Sequence, residues 1–83
     1  MRTKAINSKS LGIILRSARK SKGLNQTEAG RLVGIDQTTI SKIERGESNA
    51  RIDTLFRILA ALEMELIVRP REKTSDVNEG DTW

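Results

Sequence analysis

The sequence predicts an all-α fold: a compact domain of four short helices, followed by one short β-strand that pairs across a homodimer and by a disordered tail. Three observations carry that prediction. Aromatic residues make up only 2% of the 83 residues, Phe56 and Trp83 being the two. The core must therefore be built from Leu, Ile, Val and Ala, without the aromatic pairs that stabilise many sheets. Apolar residues recur at spacings of three and four between Leu11 and Leu62, the period of amphipathic helices. An Asn or Asp that opens a helical run, with a Gly that closes it, occurs three times between Asn7 and Gly46.

Leu11, Ile14, Leu15 and Ala18 form one stripe of a first helix, capped by Asn7 and ended by a left-handed Gly23. Asn25-Gln-Thr-Glu28 has the form of a capping box and starts a second helix that runs to Val33, because Gly34 is the next stop. Asp36 caps a third helix, Gln37 to Arg45, with Ile35 and Ile40 placed as a hydrophobic staple and Gly46 at its end. Ile52, Leu55, Phe56, Ile58, Leu59 and Leu62 make the widest apolar stripe in the chain. They predict a fourth helix from Ile52 to Leu62 as the main packing partner, with Phe56 in the core and Arg51 a poor cap. Met64 to Arg69 alternates partly and is closed by Pro70, which reads as a strand. The competing reading is a ragged extension of the fourth helix. A strand with no partner in its own chain satisfies its backbone by antiparallel pairing with a second copy, hence the expected homodimer. Leu66, Ile67 and Val68 are its candidate dimerisation residues. The domain limits that follow are 1–7 for a basic arm, 8–63 for the helical domain, 64–70 for the strand and 71–83 for a flexible acidic tail.

Composition excludes several chemistries. The chain has no Cys and no His, so it lacks thiolate and imidazole metal ligands and a Ser-His-Asp triad. No cofactor and no metal site are expected. Ser17-Ala-Arg-Lys20 fits the S-x-x-K pattern by letter, but it lies in a basic helix of a domain too small for a substrate cleft, so an enzyme is not expected. The net charge of +4 points to a polyanionic partner. The charge is also polarised. Arg2, Lys4, Lys9, Arg16, Arg19, Lys20 and Lys22 precede the first acid, whereas Glu72, Asp76, Glu79 and Asp81 crowd the other end. With no signal peptide or membrane span evident, the expected location is cytoplasmic, with no membrane partner.

Gln26 to Ile43 meets the demands of a helix-turn-helix. Gly34 can take the positive φ of the turn, Gly30 is small where the helices cross, and Ile40 and Ile43 fall on the core side of the second helix. Gln37, Thr38, Thr39, Ser41 and Lys42 then project away from the core. Gln suits a bidentate contact to adenine, a Thr methyl suits thymine, and Lys reaches guanine or phosphate. The candidate base-contacting residues are Gln37, Thr38, Ser41 and Lys42. Gln26, Thr39, Arg45 and Arg51 are the candidate phosphate contacts. Such a dimer would bind double-stranded operator DNA as an inverted repeat, its two recognition helices about 34 Å apart. A stand-alone or phage-type repressor and a protein-only scaffold are the competing functional readings.

Gly23-Leu-Asn-Gln-Thr-Glu28, Gly34-Ile-Asp-Gln-Thr-Thr-Ile-Ser-Lys-Ile-Glu-Arg-Gly46 and the helix after them resemble the Cro/C1 (XRE) family of helix-turn-helix repressors, over about residues 8 to 63. The resemblance implies a lambda-repressor-like domain and an ion pair between Arg19 and Glu44. Gly30 stands where the family usually has Ala, at a helix cost of about 1 kcal/mol. Leu32 stands where a polar residue is common, and Asp36 at a site that can be basic. A strand after the last helix and a flexible acidic tail ending in Trp are similar to the HipB antitoxins of HipBA toxin–antitoxin systems. That resemblance implies strands paired across a dimer, repression of the dimer's own operon, and Trp83 as the docking residue for a HipA-like serine/threonine kinase toxin. A Trp on a polar segment is in any case a frequent interface anchor.

Overall fold

The structure, a computed structural model, describes residues 4–47 and 49–71. They form α1 (Ser8–Ser21), α2 (Gln26–Val33), α3 (Gln37–Glu44) and α4 (Ile52–Ala61). α1 packs on α3, and α2 packs on both α3 and α4.

Local sequence accounts for three of the four starts. Asn7 accepts from the Ser10 amide while the Ser10 hydroxyl takes the Asn7 amide, and Asn25 and Glu28 make the same reciprocal pair at α2. Asp36 accepts from the Thr39 amide at 2.8 Å; hydrogen bonding from the Thr39 side chain, and then from this amide, holds its carboxyl below the usual aspartate range. Arg51 precedes α4 without any side-chain cap, so that helix depends on packing. Gly34, with φ of 71°, turns the chain between α2 and α3. α4 instead ends on Glu63, whose φ is 58°. The amide of Met64 reaches the Leu59 carbonyl and that of Glu63 the Ala60 carbonyl, a Schellman closure that stops the helix from continuing into 64–70. In the single chain residues 64–71 are neither helix nor strand.

Leu15, Ile35, Ile40, Ile43, Ile58, Leu59 and Leu62 make the core, edged by Leu11, Ala18, Val33, Leu55 and Met64. Phe56 is not part of it. Its side chain is 49% exposed and that of Ile52 71%. The reason is angular. At about 100° per residue the apolar residues of α4 spread over about 160°, from Ile58 round to Phe56. One helix of this domain can bury only the part centred on Ile58, Leu59 and Leu62. The core therefore takes only part of the wide stripe and leaves Ile52 and Phe56 exposed.

Two glycines set the spacing of the bundle. A Cβ on Gly12 would lie 2.5 Å from the carbonyl oxygens of both Ile43 and Glu44, so α1 meets the end of α3 backbone to backbone. A Cβ on Gly30 would lie 2.1 Å from the Ile35 carbonyl oxygen. The missing methyl there lets the chain fold back onto α2, which offsets the helix cost of glycine.

Candidate nucleic-acid interface

α3 buries Ile40, Ile43 and Glu44 and turns its other side outward. Gln37, Thr38 and Lys42 are exposed, and Thr39 and Ser41 are half-buried. Three-to-four-residue spacing puts Gln37, Thr38, Ser41 and Lys42 on one ridge of a short helix. An exposed ridge of this size, on a helix held from behind by core residues, fits the major groove of B-DNA.

Beneath the ridge lies the buried pair Arg19 and Glu44, 6% and 8% exposed. The Arg19 Nε donates to Glu44 Oε2 at 2.6 Å and an Arg19 Nη to Glu44 Oε1 at 3.0 Å. The other Nη of Arg19 donates to the Leu24 carbonyl at 2.8 Å. α1, the α1–α2 loop and α3 are thus joined at one guanidinium, in the fork geometry that arginine alone provides. Burial, the largest influence on Glu44, pushes its carboxyl up. The hydrogen bonds from Arg19 and Gln26 and the charges of Arg19 and Arg16 outweigh it, and the net shift is downward. The hydrogen bond to Glu44 raises the Arg19 guanidinium, so the pair stays ionised.

The pair is extended outward by two amides. Gln26 Nε2 donates to Glu44 Oε1 at 3.0 Å, and Gln37 Nε2 donates to Gln26 Oε1 at 2.7 Å. Gln26 stands at the first position of α2, where the helix dipole and free amides favour an anion. At the far end of α3, Arg45 grips Glu47 with Nε and an Nη at 3.1 and 3.2 Å and donates to the Ser41 hydroxyl. That contact pulls Glu47 down in pKa. Arg45 thus already holds a carboxylate of its own chain. Arg51 lies apart from the ridge at the start of α4, 85% exposed and 3.6 Å from Asp53.

Several contributors carry weak signals in the sequence. Gly12 interrupts the buried stripe of α1, the pattern of a close backbone approach. Arg57 donates to the Val33 carbonyl and so satisfies the last turn of α2 beside Gly34. Glu47 reads only as part of a polar loop. Leu66, Ile67 and Val68 are 49%, 72% and 87% exposed. Trp83 and the rest of 72–83 lie outside the described residues. Ser17 and Lys20 are both exposed on α1. Among the described residues no cluster of three or more His, Cys, Asp or Glu could hold a metal, and no helix is long and apolar enough to cross a membrane.

The family described as helix-turn-helix, HTH_3, matches residues 15–67. The chain belongs to the helix-turn-helix family. Within it, the chain is similar to the ImmF control region 10 kDa protein of Bacillus phage phi105, 33% identical over 75 residues that make up 90% of this chain and 83% of that one. It is also similar to antitoxin HipB of Escherichia coli (strain K12), 35% identical over 52 residues, 63% of this chain. The match spans 59% of that antitoxin's length. Among solved structures, the helix-turn-helix chain superposes on a HipB-O4 20mer complex with a TM-score of 0.77 at 28% identity, over 86% of this chain and all of the other. A HipA-HipB-O2-O3 complex matches equally well. The protein is a helix-turn-helix DNA-binding regulator of the HipB/XRE kind.

Proposed function

We propose that this regulator is a dimeric operator-binding repressor that also serves as the antitoxin of a type II module, holding a HipA-like serine/threonine kinase toxin. The observation that carries the proposal is the match, over the whole of the matched chain, to HipB in a complex that contains HipA. α3 enters the major groove. Gln37, Thr38, Ser41 and Lys42 contact bases, while Gln26, Thr39, Arg45 and Arg51 contact phosphates. The basic balance of +4 draws the domain to the duplex.

The dimer is supported by what the single chain leaves uncovered. Ile52 and Phe56 on α4, then Leu66, Ile67 and Val68 beyond it, are large apolar side chains exposed by 49% or more. Residues 64–70 also have no ladder partner among the described residues. Antiparallel pairing of this segment with its copy satisfies the backbone and covers the apolar surface together.

Residues 71–83 with Trp83 form the kinase-docking tail in this reading. A different observation favours a repressor without a toxin: the phage phi105 control-region protein aligns with 90% of this chain. Removing Val77 to Trp83 separates the two. A HipA-like kinase encoded beside the gene should be captured by the full chain and lost or weakened with the shortened one, with operator binding retained. Equal capture by both forms, or no such kinase, favours the repressor-only reading.

A further inference from the structure

The chain of contacts behind the recognition ridge has a direction, and the direction is set by chemistry. Glu44 is an ionised carboxylate and can only accept hydrogen bonds; Arg19 can only donate. Glu44 Oε1 already holds an Arg19 Nη at 3.0 Å, and Gln26 meets the same oxygen at 3.0 Å. Gln26 must therefore turn its NH2 inward and its carbonyl outward. That carbonyl in turn accepts from Gln37 at 2.7 Å, which requires Gln37 to turn its own NH2 toward Gln26. The opposite orientation would set the Gln26 carbonyl against a carboxylate and leave two NH2 groups facing each other. The relay runs from a residue 8% exposed through half-buried Gln26 to exposed Gln37.

We infer that Glu44 is a positioning residue for DNA reading: acting through Gln26, it fixes which way round the Gln37 amide faces the bases. The inference rests on the reading of Gln37 as a base contact. An amide read bidentately offers a donor and an acceptor in a set order, and adenine N7 and N6 accept only one order. An amide free to turn over loses that selectivity without losing its place on the helix. Replacing Glu44 by Gln keeps the shape but removes the acceptor-only carboxylate, so the group that meets Gln26 is no longer fixed as an acceptor. Replacing Gln26 by Met breaks the relay and leaves the Arg19–Glu44 pair intact.

The test uses the full chain in two arms. In the free protein, 15N-resolved side-chain amide spectra should show the Gln37 NH2 protons well separated and slow to exchange. In Gln26→Met they should collapse toward the positions of exposed glutamine, and in Glu44→Gln they should shift. On operator duplexes substituted one base pair at a time, both variants should lose on the order of tenfold discrimination at the Gln37 position. Discrimination at other positions should be kept. Gln26→Met carries the test if Glu44→Gln fails to fold, since Gln26 takes no part in the core. Unchanged amide signals and unchanged discrimination in folded Gln26→Met would overturn the inference. A Gln37→Ala variant with no base-selective loss would instead defeat the base-contact reading, and the spectra of the free protein would still report on the relay.

Discussion

Gly12→Ala is the perturbation whose outcome the packing decides most sharply. Position 12 lies inside α1, where alanine is favoured over glycine by about 1 kcal/mol, so helix propensity alone predicts stabilisation. The space around it predicts the reverse. The new Cβ would sit 2.5 Å from the carbonyl oxygens of Ile43 and Glu44, whereas a carbon rests against a carbonyl oxygen at about 3.3 Å. Both obstacles are backbone, so no rotamer change relieves them, and α1 must draw back from α3 by about 0.8 Å. The Arg19–Glu44 hydrogen bonds at 2.6 and 3.0 Å span that same interface and stretch with it. Overpacking of this kind costs about 1–3 kcal/mol. The net expectation is a loss of about 1–2 kcal/mol after the propensity gain. A loss of 1 kcal/mol lowers Tm by about 4–8 °C in a domain of this size. Circular-dichroism melts at one fixed protein concentration read it, with Ser17→Ala on the exposed side of α1 as the control that should not fall. A Gly12→Ala protein that melts at or above the parent temperature would refute the argument.

Further outcomes follow from the ion pairs. Arg19→Met strands a buried carboxylate and should cost about 3–5 kcal/mol, read as a large fall in the urea midpoint; a loss below 1 kcal/mol would show the pair to be solvated. Because the Glu44 carboxyl is lowered in the fold, its contribution is fully present above the ordinary glutamate value of 4.5 and is lost as the pH falls through the lowered folded value. An Arg19→Met/Glu44→Gln double variant should show a shallower loss of Tm below that pH, and an unchanged slope would contradict the assignment. Glu47→Gln should free Arg45 for phosphate and raise operator affinity up to about fivefold, the worth of an exposed ion pair. Titration at low salt would show it, and weaker binding would place Glu47 on the favourable side of the contact.

Particular residues show what was legible in the chain. Asn7, Asn25 and Asp36 mark helix starts because a cap is a local interaction, complete within four residues. Gly34 marks the turn for the same reason. Phe56 lies outside the core that its spacing predicts, because periodicity tells which residues share a face and not how much of that face the core covers. Gly12 and Arg57 have at most a weak local signature of their roles, since each meets a carbonyl from another helix. Within the candidate site, the outward ridge of α3 follows from spacing around Ile40 and Ile43. The link from Glu44 through Gln26 to Gln37 joins residues 18 and 11 positions apart, and no local pattern encodes such distances. Likewise, Glu47 is a loop acid until Arg45 is seen to hold it.

The central claim is that α3 reads DNA sequence, and one titration tests it most directly. Parent and Gln37→Ala proteins are titrated onto an operator selected from random duplexes, then onto its single-base variants across a series of salt concentrations. The expected result is an inverted-repeat operator and a loss of about 1–3 kcal/mol for Gln37→Ala, confined to one base pair in each half-site, with the salt slope unchanged. Equal weakening on every duplex, or a parent protein that prefers no sequence even at low salt, would contradict it.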